Sequence, residues 1–181
     1  CNDNEGYQNT GGHLSSATPP DAQTRTGRRG DQVPGITRRK DLVEIMAAHR
    51  VPYVATASVA YPEDLQSKVL KAREMEGFRM LLLLTPCVTW GFESRYSVKL
   101  ARLAVETGYF PLYEVEGGRH YRITHEPAML PLERFTRLQR RFNGGDLNAL
   151  HEEIDEKWAE LRFRSERSRR ERVQRPAWVA A

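Results

Sequence analysis

Hydrophobic positions first become regular near residue 38. In "RRKDLVEIMAAHR" (38–50), Leu42, Ile45, Met46 and His49 recur at helical spacing and predict one inward face. "VPYVATASV" (51–59) is a run of β-branched, aromatic and small residues, the pattern of a buried strand. "YPEDLQSKVLKAREMEG" (61–77) carries Pro62 and two acids at its start and Gly77 at its end. That punctuation predicts a helix, with Leu65, Val69, Ala72 and Met75 inward. "FRMLLLLTP" (78–86) is a second buried strand, and "ESRYSVKLARLAVETG" (93–108) a helix stopped by Gly108. Two continuous apolar strands joined by a helix predict a parallel βαβ unit covered on both faces.

The pattern then changes. "FPLYEVEGGRHYRITHEP" (110–127) alternates around Gly117-Gly118 and predicts a β-hairpin. "PLERFTRLQRRF" (131–142) is a short amphipathic helix ended by Asn143-Gly144-Gly145. Leu147, Leu150, Ile154, Trp158 and Leu161 form one stripe of a longer helix. The expected division is 1–109 as an α/β layer, 110–161 as a hairpin and helical extension docked on that layer or on another subunit, and 162–181 as a frayed basic tail. Residues 11–37 are rich in Gly, Ser, Thr and Pro and hold hardly any large apolar residues, so they read as one long loop. Its length exceeds ordinary connections and marks it as functional or disordered.

Composition narrows the class. The longest apolar run, "MLLLLTPCV" (80–88), is far short of a bilayer span. Residues 1–12 show neither the basic nor the apolar region of a signal peptide. Two cysteines, Cys1 and Cys87, suit a reducing cytoplasm better than a disulfide scaffold. Net charge is +4, and Arg162 to Arg175 holds seven arginines against two glutamates. That stretch could follow a phosphate backbone. No aromatic residues alternate with the arginines for stacking, so a solvated helix end is the preferred reading over nucleic-acid binding.

Candidate chemistry gathers at the first residues, "CNDNEGYQNTGG". In an open parallel sheet, ligands bind beyond the carboxyl ends of the strands. With Cys1 ending a strand, residues 3–12 form such a loop, and Cys87 follows another strand on the same rim. A hard cation such as Mg²⁺ takes a few oxygens from protein and the rest from phosphate and water. The Asn4 side chain and the Gly6 carbonyl could supply two; a hydrogen-bonded Asx turn accounts for the same residues. Cys87 fits the packing role of a small apolar residue equally well.

"DNEGYQNTGGHLSSATP" (3–19) resembles the end of the thiamine-diphosphate signature in the 2-oxoacid:ferredoxin oxidoreductases, and within them the beta subunit of the pyruvate:ferredoxin oxidoreductase type. "RRKDLVEIMAAHRVPYVATASVAYPEDL" (38–65), "TPCVTWG" (85–91) and "ARLAVETGYFPLYEVEGGRHYRIT" (101–124) are similar to further elements of that family in the same order. The resemblance runs to about residue 142.

The resemblance implies the C-terminal part of a thiamine-diphosphate-binding fold and a chain truncated at its N-terminus, inactive alone. Asn4 would give Mg²⁺ its side-chain oxygen and Gly6 its main-chain carbonyl. Tyr7, Asn9 and Thr10 would line the cofactor, and Cys87 would bind a [4Fe–4S] cluster. Cys1 would be no ligand. No catalytic residue is assigned, because the glutamate that activates the cofactor belongs to a partner subunit. The implied partners are the alpha and other subunits, ferredoxin and coenzyme A, in the cytoplasm. The implied activity is oxidative decarboxylation of a 2-oxoacid to an acyl-CoA. Pyruvate is the first expectation, and branched-chain or other 2-oxoacids are the alternative. Three departures stand out: His13 for a usual Gln, Gly6 for a small apolar residue, and the order Trp90-Gly91.

Overall fold

The computed structural model describes residues 1–8, 12–28 and 38–174. Strands β1 (Asn2–Asp3), β4 (Tyr53–Ala57), β5 (Arg79–Leu84), β6 (Tyr113–Glu116) and β7 (His120–Ile123) form one sheet in the order β1-β5-β4-β6-β7. β2 (Gln23–Thr24) and β3 (Gly27–Arg28) make a separate small ribbon. β1, β5 and β4 run parallel, with Asn2 opposite Leu83 and Ala55 opposite Leu81. The expected βαβ unit is therefore present, joined by α2 (Pro62–Glu74) after α1 (Leu42–Ala48).

The hairpin continues this sheet. β6 pairs antiparallel with β4, placing Ala55 opposite Glu114, so the sheet is mixed and its hairpin strands lie at one edge. All five residues of β4 are buried, as a central strand covered on both faces requires. Successive side chains face opposite ways. Val54 and Val115 meet Val43 and Ala47 of α1 and Leu161 on one face. Tyr53 and Glu114 meet Lys71 of α2 on the other. The hairpin turn needs glycine at Gly118: φ is +68°, and an added Cβ would lie 2.2 Å from the Ala47 carbonyl oxygen.

Two predicted faces need correction. On α1 the buried residues are Val43 and Ala47, while His49 is exposed. The Asp41 side chain caps the helix by accepting from the Glu44 N–H at 3.0 Å, which fixes where the helix starts and so which side meets the sheet. On α2 the buried residue is Lys68, and Val69 is exposed. The Lys68 amine donates to the Thr56 carbonyl at 2.8 Å, to Asp64 at 2.7 Å and to the Thr124 hydroxyl at 2.8 Å. A satisfied ammonium can occupy a site that hydrophobicity alone assigns to valine. Burial still lowers its pKa, against the raising effect of Asp64.

α3 (Ser97–Glu106), α4 (Glu133–Thr136) and α5 (Asn148–Gln174) complete the core. Leu100, Phe135, Leu150, Ile154 and Trp158 share one buried cluster. The predicted stripe of α5 thus packs on this chain's own layer, and α5 contacts β7 along the hairpin edge. The basic stretch from Arg162 is helical as far as Gln174, and 175–181 lie outside the described residues. Arg164 turns inward to Glu44 at 2.6 Å and to the Tyr121 hydroxyl at 2.5 Å. No helix among the described residues is long and apolar enough to cross a membrane.

Candidate functional site

β1 is short because the chain turns sharply at residues 4–6. The Asp3 carboxylate accepts from the Glu5 N–H at 2.7 Å, and the Asn4 amide oxygen accepts from the Gly6 N–H at 3.2 Å. These are consecutive Asx turns. Glu5 takes φ of +58°, the left-handed region that costs a residue with a Cβ about 1 kcal/mol. Tyr7 and His13 then pair through two backbone bonds of 2.9 and 3.1 Å, closing a loop. Tyr7 is exposed. Asn9 and Thr10 lie outside the described residues.

The turn after β5 stands beside this loop. Asp3 pairs with Leu84 in register, and Thr85 N–H donates to the Asp3 carbonyl at 2.7 Å. Cys87 precedes a single 3₁₀ turn, Val88–Trp90. The indole N–H of Trp90 donates to the Asn4 carbonyl at 2.8 Å. Both post-strand turns therefore leave the same rim of the parallel strands and touch through Trp90. Cys87 is half-buried, and Thr89 Oγ1 lies 3.1 Å from its sulfur. Beyond this turn a cavity of about 420 Å³ is lined by Gly12, Thr89, Arg25, Arg140 and Arg141.

Beneath the loop sits a buried charge cluster that the local sequence pattern did not reveal. Glu5 is 3% exposed. Its carboxylate meets Arg141 at 2.8 Å, Arg39 at 3.3 Å and the Tyr109 hydroxyl. Arg39 also pairs with Glu153 of α5 and stacks 4.4 Å from the Tyr109 ring centre. Arg141 lies 3.8 Å over the Trp90 ring and bonds Gln139 at 2.8 Å. Burial would lower the pKa of Arg39, but Tyr109, Glu153 and Glu5 hold it above the ordinary arginine range. Burial, then the nearby Glu5 charge, raises the Asp3 pKa. Tyr109 is pushed well above the usual phenol range, chiefly by burial. Partners 34, 104 and 136 positions away from Glu5 explain why its role was hidden.

The donor set matches hard-cation chemistry in kind. The Asn4 amide oxygen and the Gly6 main-chain carbonyl are both neutral oxygen acceptors, each with two lone pairs. Two protein oxygens suit Mg²⁺ that keeps phosphate and water in its other positions. The thiol of Cys87 suits a thiolate-bound cluster. Among the described residues no group of three or more His, Cys, Asp or Glu side chains converges as a ready-made metal site. Cys87 therefore gives at most one anchor.

No family model matches the sequence. Curated relatives do. The chain is 45% identical over 161 residues to pyruvate synthase subunit PorB of Methanocaldococcus jannaschii, covering 86% of this chain and 54% of the relative. It is 49% identical over 145 residues to pyruvate synthase subunit PorB of Methanothermobacter marburgensis, covering 78% and 50%. It is 43% identical over 171 residues to ketoisovalerate oxidoreductase subunit VorB of Pyrococcus horikoshii, covering 88% and 54%. The chain spans about half the length of the curated relatives it matches. With the mixed α/β sheet and the paired rim turns, these matches place it: the chain belongs to the beta subunits of the 2-oxoacid:ferredoxin oxidoreductase family.

Proposed function

We propose that this chain forms one side of the cofactor site in an enzyme that oxidatively decarboxylates a 2-oxoacid to an acyl-CoA and passes the electrons to ferredoxin. The observation that carries the reading is the contact of the Asn4 turn with the Cys87 turn through Trp90. It brings an oxygen-donor loop and a thiol to one rim of the sheet. In this reading Asn4 Oδ1 and the Gly6 carbonyl hold Mg²⁺, while Tyr7, Asn9 and Thr10 line thiamine diphosphate. Cys87 gives one thiolate to a [4Fe–4S] cluster. When bound, thiamine diphosphate supplies the acidic ring carbon that adds to 2-oxoacids, and the cluster supplies a one-electron acceptor.

This chain's own residues bind and orient. The neutral oxygens of Asn4 and Gly6 accept the metal without adding negative charge beside a diphosphate. The Trp90 indole fixes the Asn4 carbonyl and spaces the two turns. The alpha and other subunits, coenzyme A and ferredoxin are the partners of the reading, and the cytoplasm is its location. Pyruvate is assigned first, from the PorB relatives at 45% and 49% identity. A branched-chain 2-oxoacid is the second reading, carried by the VorB relative at 43%.

In the full-length protein, assembled with its partner subunits, Asn4→Ala is expected to weaken Mg²⁺-dependent thiamine diphosphate binding about tenfold or more, ~1.4 kcal/mol or above. Titration by equilibrium dialysis measures it, and an unchanged affinity removes Asn4 from the metal site. Cys87→Ala is expected to lose the iron of one cluster, read by iron quantitation and EPR. A full iron complement returns Cys87 to a packing role.

A further inference from the structure

Glu5 stands between the two residues assigned to the metal, and nothing in the proposed chemistry uses it. Its main chain is fixed twice over. The Asp3 carboxylate accepts from its N–H at 2.7 Å, and the Thr18 hydroxyl donates to its carbonyl at 2.7 Å. Its side chain is buried and reaches Arg39, Arg141 and Tyr109. The pair with Arg141 is close but off-axis. Glu5 Oε2 and Arg141 Nη2 lie 2.8 Å apart, yet neither has a hydrogen-bond partner among the described residues. A buried carboxylate, a left-handed backbone and an imperfect ion pair are all unfavourable choices for a surface turn. Together they hold one specific loop shape.

The contacts also close a ring. Glu5 meets Arg141, the Arg141 guanidinium lies 3.8 Å over Trp90, and Trp90 donates to the carbonyl of Asn4, the neighbour of Glu5. Trp90 belongs to the turn that Cys87 begins. A shift of the Glu5 carboxylate therefore reaches Asn4 from two directions, along the chain and through the indole. It also reaches the Cys87 turn.

We propose that Glu5 is a positioning residue: its buried carboxylate, held by Arg39, Arg141 and Tyr109, sets the Asn4–Gly6 turn in its metal-accepting shape and locks that turn to the Cys87 turn through Arg141 and Trp90. This rests on the reading of Asn4 and Gly6 as Mg²⁺ ligands. Glu5 itself touches neither metal nor substrate.

The test uses the full-length protein with its partner subunits and compares Glu5→Gln, Glu153→Gln and Asn4→Ala. Glu153→Gln is the control, because it breaks an ion pair to the same Arg39 without touching the loop. Half-saturating Mg²⁺ is measured at fixed thiamine diphosphate, and Mn²⁺ in place of Mg²⁺ gives an EPR line shape that reports ligand geometry. Glu5→Gln is expected to raise half-saturating Mg²⁺ about tenfold and broaden the Mn²⁺ signal. Glu153→Gln is expected to change the first less than about twofold and leave the second alone. The proposal is overturned if Glu5→Gln stays within about twofold of the unmodified protein, or if Glu153→Gln shifts both readouts equally. Should Glu5→Gln not accumulate as folded protein, Arg141→Lys decides. It keeps the charge but loses the flat guanidinium over Trp90, so a Mg²⁺ shift above about threefold supports the ring and no shift refutes it. Asn4→Ala separates the two levels. If it leaves affinity unchanged, the metal reading has failed. If it weakens affinity while Glu5→Gln does not, only the positioning role has failed.

Discussion

Trp158→Ala is expected to destabilise the chain by about 3–5 kcal/mol, the range for removing a buried tryptophan. Trp158 is 3% exposed and packs in the cluster that includes Leu100, Phe135, Leu150 and Ile154. Its indole N–H donates to the Gly108 carbonyl at 2.8 Å. Gly108 ends α3 with φ of +75°, and a Cβ there would lie 2.8 Å from Trp158 Nε1. The glycine is thus needed both for the left-handed helix end and for the approach of the ring. Alanine at 158 opens a cavity and leaves a buried carbonyl unpaired, which adds ~1 kcal/mol. Phe163, on the same helix but 68% exposed, provides the contrast. Phe163→Ala should stay within about 0.5 kcal/mol. Urea unfolding measures both, as a lowered midpoint with an unchanged slope. A loss below about 1 kcal/mol at 158 would mean that the apolar stripe of α5 does not hold the helix on the sheet.

That stripe shows what local pattern reveals. Leu150, Ile154, Trp158 and Leu161 recur at helical spacing because they face one surface, and all four are buried. Strands β4 and β5 were legible because a central parallel strand needs apolar residues on both faces. Pro62, Gly108 and Gly117-Gly118 marked the start of α2, the end of α3 and the turn between β6 and β7 through backbone conformation alone. Pairing of β6 with β4 left no such trace, since the partner of a strand is set by the whole sheet. Nor did the burial of Lys68, whose amine depends on Thr56, Asp64 and Thr124. Asn4 and Cys87 could be placed on one rim by strand order, but the Trp90 contact that joins them required coordinates. Glu5 was the least visible. An acid in a row of oxygen-bearing residues looks like one more surface donor until Arg39, Tyr109 and Arg141 are brought around it.

Glu114 is a second buried acid, and its expected effect depends on pH. Its side chain is 1% exposed. One oxygen accepts from Lys71 at 2.5 Å and Arg122 at 2.8 Å, and the other from the Tyr53 hydroxyl at 2.7 Å. Glu114→Ala leaves Tyr53 without its acceptor, takes the carboxylate from Arg122 and leaves Lys71 with Glu116 alone, so a loss of about 3 kcal/mol is expected at neutral pH. Glu114→Gln keeps the shape but not the charge, and should cost about 1–1.5 kcal/mol, the difference between charged and neutral hydrogen bonds. Burial by itself would raise the Glu114 pKa. The bonds from Arg122, Lys71 and Tyr53 outweigh it and hold the carboxyl below its ordinary value near 4.5. A carboxyl whose pKa is depressed by folding binds its proton more readily in the unfolded chain. Its stabilisation is complete above the unfolded pKa and disappears as pH falls through the folded one. The stability gap between the unmodified protein and Glu114→Gln should therefore be constant from about pH 8 to 5 and shrink steadily below about pH 4.5. Taking the difference between the two proteins cancels the other carboxyls, which titrate in both. A gap that widens on acidification would reverse the sign. It would mean that burial, and not the three donors across the sheet, controls this carboxylate.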